Sequence, residues 1–175
     1  MPRFSSRNVS RADVPAPRQA IWDVLTDPGA LAELTPLLEG ISVDGDHWCW
    51  KLGGIRALGV EVAPSFTERM IFDEPSCITF RHDPPAGAAE RAGAEGVYDL
   101  IARSADATQL AIDISLHVEL PLPTLSRRAV ERVMSSTMAR TGDVFGQRLY
   151  RRLGIDPDTV IIDPAAATAR PTAHA

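Results

Sequence analysis

The sequence contains little cysteine and no long stretch of apolar residues, and both shortages narrow the kinds of protein it can encode. Two cysteines in 175 residues, Cys49 and Cys77, form no recognisable motif and cannot build a disulfide scaffold. No apolar run approaches the roughly 20 residues of a membrane span. The first residues, MPRFSSRNVSRADV, lack the apolar region of a signal peptide. We therefore expect one globular domain located in the cytoplasm.

The motifs of several common catalytic and cofactor sites are also missing. The stretch KLGGIRALG lacks the Lys-Ser/Thr ending of a phosphate-binding loop, and no Gly-x-Ser-x-Gly nucleophile motif occurs. His47 and Cys49 share one face of a predicted strand, but a metal site needs three or four ligands and no third is evident. The sequence therefore predicts neither a metal nor a cofactor.

The chain is acidic as a whole, but its C-terminal part is basic. The net charge of −5 argues against nucleic acid as the main partner. Seven arginines and two carboxylates give residues 124–153 a charge of +5. Arg128 and Arg132 fall in the first turns of a predicted helix, where the helix dipole disfavours cations. We hypothesise that they meet an anionic group: a ligand carboxylate, an acidic partner protein, or the acidic body of a second copy in a homodimer.

The spacing of apolar residues is helical at both ends of the chain and strand-like between them. Residues 4–14 alternate as a first strand, and residues 18–27 carry an i, i+3, i+4 stripe that Asp27-Pro28 interrupts before a second short helix. About six further strands follow, because apolar residues alternate with period two between turn segments. The last element, AVERVMSSTMARTGDVFGQRLYRRLG, is a long helix.

Four stretches of the sequence carry a resemblance to a known family. They are ADVPAPRQAIWDVLTDPGALAEL, VDGDHWCW, FTERMIFDEP and LPLPTLSRRAVERVM. In this order they resemble the START-like superfamily, also called SRPBCC, which includes polyketide cyclases and lipid-transfer domains. The resemblance covers roughly residues 4–153 and implies an α+β helix-grip fold. In that fold a curved antiparallel sheet of about seven strands wraps around a long C-terminal helix, with two short helices after strand 1.

The same resemblance implies a ligand cavity rather than a defined reaction, because the family mostly shares no catalytic motif. We expect one START-like ligand-binding domain at residues 1–154 and a disordered tail at residues 155–175. The long helix would carry Met, Thr and Gly toward the sheet, where a tightly packed helix would carry Leu and Ile. Strand alternation and this helix face predict the ligand-binding residues Asn8, Ser10, Trp48, Trp50, Phe66, Phe80, Tyr98, Met134 and Met138.

Two ionisable residues are predicted on the same inward face and are the candidate catalytic residues. If the turn DEPS pairs Met70 with Ile78, Glu68 and His82 become diagonal neighbours within side-chain reach. A carboxyl group among aromatic rings has a raised pKa, which suits acid–base chemistry. The alternatives are that Glu68 turns outward to an arginine or that His82 lies in solvent at the end of its strand.

Three functions are compatible with these patterns. The first is a non-catalytic protein that binds an apolar or aromatic small molecule, such as a lipid or a polyketide-like compound. The second is a cyclase, aromatase or dehydratase that uses Glu68 and His82 together with Tyr98. The third is an adaptor that docks to an acidic partner or a membrane surface through the basic helix.

Overall fold

The structure, a computed structural model, describes residues 1–57 and 60–160, and for residues 55–57 and 60–62 the backbone alone. Its strands are β1 (Arg3–Val14), β2 (Leu38–Asp44), β3 (His47–Leu52), β4 (Ile55–Ala57), β5 (Val60–Val62), β6 (Ser65–Asp73), β7 (Cys77–His82), β8 (Ala92–Ser104) and β9 (Ala107–Glu119). Its helices are α1 (Arg18–Leu25), α2 (Pro28–Leu34) and α3 (Arg127–Arg152), with short 3-10 turns at Thr124–Ser126 and Pro157–Thr159.

Seven of the strands form one antiparallel sheet in the order β1-β9-β8-β7-β6-β3-β2, while β4 and β5 pair only with each other. The predicted helix-grip fold is confirmed, including the two short helices after the first strand. The chain forms two separate strands here, β5 and β6. Pro64 lies in the gap, and proline has no N–H to donate to a strand ladder.

The two short helices are separated where the sequence predicts. The Asp27 carboxylate accepts hydrogen bonds from the backbone N–H groups of Gly29 and Ala30, at 2.8 and 3.1 Å, and so caps α2. Pro28 occupies the first turn of α2, where a missing N–H costs nothing. α1 buries Ile21, Trp22 and Leu25 against the sheet.

The sheet has one face covered by helices and one outer face. The helix-covered face carries Phe66, Glu68 and Met70 of β6, all of them buried, as the strand alternation predicts. α1 contacts β8 and α2 contacts the edge strand β2, and the apolar side chains of both helices join those of the sheet in the main core. No helix in the described ranges combines the length and the apolar character needed to cross a membrane.

The chain beyond α3 continues to pack against the body of the protein. Ile155 and Val160 contact the main core, and the Asp156 side chain caps the turn at Pro157–Thr159. Residues 155–160 of the expected disordered tail are therefore placed on the domain. Residues 161–175 lie outside the described residues, and the tail assignment stays a prediction there.

Candidate functional site

The long helix α3 buries side chains against the rest of the protein near its two ends, but not in its middle. Near its start Val130 is buried in a small separate cluster with Phe4 and Leu120, and near its end Leu149 and Tyr150 join the main core. Of its 26 residues only these three are buried. Between these ends, Thr137, Met138 and Thr141 are half-buried and belong to neither cluster, whereas Met134 packs against the small cluster and Phe145 against the main core.

The sheet opposite the middle of α3 is also incompletely covered. β9, the second strand from the β1 edge of the sheet, holds Ile112, Ile114 and Leu116 on the helix-covered face, and each keeps part of its surface exposed. We call the space between these three residues and Met138 the central hollow. The small cluster holds α3 on one side of this hollow, and the main core holds it on the other.

Neighbouring strands contribute an aromatic wall to the same face. Trp48 and Trp50 of β3 have ring centroids 6.3 Å apart, and Phe80 of β7 lies 5.1 Å from Tyr98 of β8. Gly96 makes room for this pair, because a Cβ there would come within 2.8 Å of the Phe80 ring. Trp48, Phe66 and Phe80 are fully buried and pack as core, whereas Trp50 and Tyr98 keep part of their surface exposed.

A carboxyl group stands within this wall. Glu68 is only 2% exposed and lies directly opposite Trp48 in the ladder of β3 and β6. Burial raises its pKa well above the ordinary value of 4.5, and the neighbouring indole N–H of Trp50 lowers it by less. That N–H makes no hydrogen bond of normal geometry, and it is the one fully buried side-chain polar atom without a partner among the described residues.

Tyr98 is the second polar group at this place. Burial raises the pKa of its hydroxyl, and the charge of Glu68 raises it further. The Glu68 side chain is almost completely buried, whereas Tyr98 keeps part of its surface exposed.

The remaining predicted polar residues lie at the α3 side of the sheet. Asn8 and Ser10 are half-buried on the helix-covered face of β1. A Cβ added at Gly142 of α3 would lie 3.6 Å from the Asn8 amide nitrogen, which is an ordinary contact. α3 thus crosses the sheet over β1 at this point. Met134 packs against the small cluster near the start of α3, rather than against the aromatic wall.

The predicted pairing of Glu68 with His82 is wrong in its register and in its side-chain contacts. Met70 pairs with Phe80, not with Ile78, so Glu68 and His82 lie directly opposite each other in the ladder. The His82 imidazole nevertheless bonds the Glu90 carboxylate at 2.9 Å, and its ring lies 5.1 Å from that of His117. His117 pairs with Gly93 on the outer face, so the His82 side chain has turned to the side of the sheet opposite Glu68.

This turn at the end of β7 builds a polar cluster that sequence patterns do not predict. Glu90 accepts hydrogen bonds from the backbone N–H and the hydroxyl of Thr67, at 2.7 and 2.8 Å, as well as contacting His82. Thr67 lies next to Glu68 in β6 and so faces outward. Glu90 belongs to the connection PPAGAAERAG, whose path has no periodicity from which its position could be predicted.

The arginines of α3 divide into paired and unpaired groups. Arg127 donates to Glu131 at 3.1 Å and lies over the Phe4 ring, while Arg148 and Arg152 donate to Glu33 of α2. Arg128 and Arg132 are exposed, and within the described ranges neither forms an ion pair. The anionic group predicted to meet them stays a hypothesis.

No metal site is present in the described part of the chain, where no three His, Cys, Asp or Glu side chains are placed to hold an ion. His47 contacts Asp46 at 2.8 Å and Asp83 at 3.3 Å.

Comparison with known proteins relates this architecture to solved structures, but not to a named sequence family. No family model matches the sequence, and no curated protein matches it. Among solved structures, a conserved protein from Geobacillus kaustophilus has a TM-score of 0.63 at 17% identity, over 85% of this chain and 95% of that one.

Two further solved structures have descriptive names. A START superfamily protein from Mycobacterium smegmatis has a TM-score of 0.59 at 16% identity, over 85% of this chain and 97% of that one. The ZhuI aromatase/cyclase from Streptomyces sp. R1128 has a TM-score of 0.58 at 19% identity, over 85% and 96%. At such identities the likeness concerns the fold, and the chain therefore has the START-like helix-grip fold.

Proposed function

We propose that this protein binds an apolar or aromatic small molecule, such as a lipid or a polyketide-like compound, in the central hollow. The observation that carries this proposal is the burial of α3 at its ends and its incomplete burial in the middle. A helix that served only to seal a core would bury its middle most deeply. A ligand in the hollow would cover Met138 together with Ile112 and Ile114 of the sheet.

The chemistry of the surrounding side chains supports an aromatic or otherwise apolar ligand. Trp50 and Tyr98 offer rigid flat surfaces, and Met138 has a flexible thioether that can adapt to ligand shape. Apolar walls with a few polar groups are typical of small-molecule sites. The solved neighbours include a START superfamily protein and an aromatase/cyclase, which also supports a ligand-binding use of this fold.

A substitution that fills the hollow tests this proposal. Met138→Trp should weaken the binding of an apolar fluorescent dye, Nile red, by more than about tenfold, because the indole occupies the ligand's space. The matched control is Leu125→Trp, which adds an indole at a side chain that is 98% exposed and remote from the hollow. Unchanged dye affinity in a folded Met138→Trp variant contradicts the proposal. Native mass spectrometry of the purified protein would identify a ligand that co-purifies.

A second candidate function is a cyclase- or dehydratase-type enzyme, and it is supported by Glu68. A buried carboxyl group with a raised pKa keeps its proton to a higher pH than a solvated carboxyl group and can deliver it to a bound substrate. Tyr98, rather than His82, is the neighbour that could assist it. The test is product formation from a synthetic poly-β-ketone thioester. Glu68→Gln should abolish it and His82→Ala should not, and equal turnover by Glu68→Gln and wild type excludes this reaction.

A further inference from the structure

The side of α3 that faces away from the sheet presents a continuous row of exposed residues. The turn Thr124–Ser126 leads directly into α3, so residues before the helix continue the same face. Five exposed residues follow one another at intervals of three or four, namely Leu125, Arg128, Arg132, Ser136 and Arg140. The helix meets the rest of the protein through its opposite side, which holds Val130 and Leu149. We call the five exposed residues the outward stripe, which is about 22 Å long.

The outward stripe carries three positive charges and no negative one. Its arginines form no ion pair within the described ranges. Of the two carboxylates of α3, Glu131 bonds Arg127 at 3.1 Å, and Asp143 comes one turn after the stripe ends. The chain as a whole has a net charge of −5, so the stripe differs in sign from the rest of the protein. An anionic surface therefore attracts this side of the molecule and repels the others, which selects one orientation.

An apolar side chain projects at the first end of the outward stripe. Leu125 is 98% exposed, the highest value for any large apolar side chain in the described ranges. The loop that carries it is fixed from within, because Leu120 at its base is buried with Phe4. The exposed Met1 lies at the same end of the molecule, since the Pro2 carbonyl accepts a hydrogen bond from the Leu120 N–H at 3.2 Å. A leucine held in water on a fixed loop gains free energy when an apolar medium covers it.

We propose that the outward stripe docks the protein on the surface of an anionic lipid bilayer, with its arginines against lipid phosphates and Leu125 inserted among the acyl chains. Guanidinium groups bind phosphate through paired N–H donors. Each cation near an anionic membrane strengthens binding about fivefold, and burial of one leucine adds about tenfold. The positive end of the helix dipole lies at the same end of α3 as Leu125 and acts in the same direction. This proposal does not depend on a ligand in the central hollow.

The composition of the stripe favours a bilayer over a folded acidic partner. Protein interfaces are centred on aromatic anchors that fill pockets on the partner, and the stripe contains no aromatic side chain. The exposed residues between its arginines are small, namely Ala129, Ser135, Ser136 and Ala139. Lipid headgroups are mobile and can meet a row of cations at any spacing. Cations along one face with an apolar side chain at the membrane interface are typical of surface-bound helices.

Vesicle flotation of the full chain tests the proposal. Vesicles of phosphatidylcholine alone are compared with vesicles that also contain phosphatidylserine, at low and at high salt. We expect at least about tenfold tighter binding to the anionic vesicles, and loss of that binding at high salt. Polyglutamate supplies anionic carboxylates without a bilayer. Equal binding to the two kinds of vesicle overturns the proposal, and so does binding to polyglutamate without binding to anionic vesicles.

A pair of double variants connects the binding to the outward stripe. Arg128→Glu with Arg132→Glu should weaken binding to the anionic vesicles by more than about twentyfold, about fivefold for each cation removed. Arg11→Glu with Arg103→Glu is the matched control, because it makes the same charge change at exposed arginines of β1 and β8. Circular dichroism establishes that each variant is folded. Equal losses in the two double variants would mean that net charge alone drives binding, and would overturn the proposal.

Substitutions of Leu125 test the insertion itself. Leu125→Ser should weaken vesicle binding about tenfold while leaving its salt dependence unchanged. Leu125→Trp places an indole at the same point, and its emission should shift to shorter wavelength when anionic vesicles are added. Wild-type protein with the same vesicles is the control for the three native tryptophans. An unshifted spectrum together with unchanged binding of Leu125→Ser contradicts the proposed docking geometry.

Discussion

The rings of His82 and His117 lie 5.1 Å apart on the outer face of the sheet, although β8 separates their strands. The contact is made over Gly93 of β8. A Cβ at that position would lie 2.4 Å from Cγ of His82 and 2.5 Å from Cε1 of His117. The missing side chain of Gly93 therefore allows His82 to turn outward, reach Glu90 and leave Glu68 without a histidine partner.

Gly93→Ala should destabilise the protein, because its methyl group needs the space that both imidazole rings occupy. We expect a loss of about 1–3 kcal/mol in the free energy of unfolding, the usual range for overpacking. Urea denaturation measures the loss. Gly40→Ala is the matched control, since a Cβ there meets nothing within 4 Å. Equal denaturation midpoints for the two variants would show that the rings move aside at little cost.

Glu68→Gln should change how stability depends on pH. The folded pKa of Glu68 lies above its ordinary 4.5, so between these two values the folded chain holds a proton that the unfolded chain has released. The free energy of unfolding of the wild type therefore falls as pH rises through this window. The amide variant lacks this contribution. Its stability relative to wild type should be lowest below pH 4.5, rise with pH, and level off above the folded pKa.

Urea midpoints for both proteins at half-unit pH steps give this difference directly. Glu39→Gln, at an exposed position, is the control substitution. A difference between Glu68→Gln and wild type that stays constant with pH would mean that Glu68 has the same pKa in the folded and unfolded states.

The ends of α3 should contribute more to stability than its middle. Leu149 is 1% exposed within the main core, so Leu149→Ala should cost about 2–5 kcal/mol. Met138→Ala should cost less than about 1 kcal/mol, because the side chain is only half-buried and packs in neither core cluster. Thermal and urea unfolding of the two variants compare the costs. Similar losses would indicate that the middle of α3 is packed as tightly as its end.

Charge reversal at the start of α3 should stabilise the isolated protein and weaken any electrostatic association. Arg128→Glu with Arg132→Glu replaces two unpaired cations near a helix N-terminus by anions, and should add about 1 kcal/mol at low salt. Arg140→Glu, in the middle of the helix, is the control. The gain should shrink in 1 M salt, which screens the interaction. No gain at low salt contradicts the prediction.

The same double variant tests the hypothesis that Arg128 and Arg132 meet an anionic group. Sedimentation velocity at low salt compares its oligomeric state with that of the wild type. If the two arginines contact the acidic body of a second copy, the wild type sediments as a dimer and the variant as a monomer. Identical sedimentation and identical affinity for an aromatic carboxylate, fluorene-9-carboxylate, would exclude both a second copy and a ligand carboxylate as that group.

Local patterns in the sequence determined the elements and the faces of the strands. Alternation alone places Phe66, Glu68 and Met70 on one face, because successive side chains of a strand point in opposite directions. Asp27-Pro28 divides two helices because the carboxylate caps and the proline cannot continue the preceding helix. These effects act between residues close in sequence, so the fold class and the burial of Glu68 could be predicted.

Only the tertiary structure decided which groups meet. The register of β6 and β7 depends on the backbone path of the turn between them, and this path pairs Met70 with Phe80. The direction of His82 depends on Gly93 and Glu90, which approach it from other segments. The hollow depends on where the two buried ends of α3 are held, and contacts made throughout the fold determine those positions. These contacts join residues far apart in sequence, and no local pattern contains the geometry that brings them together.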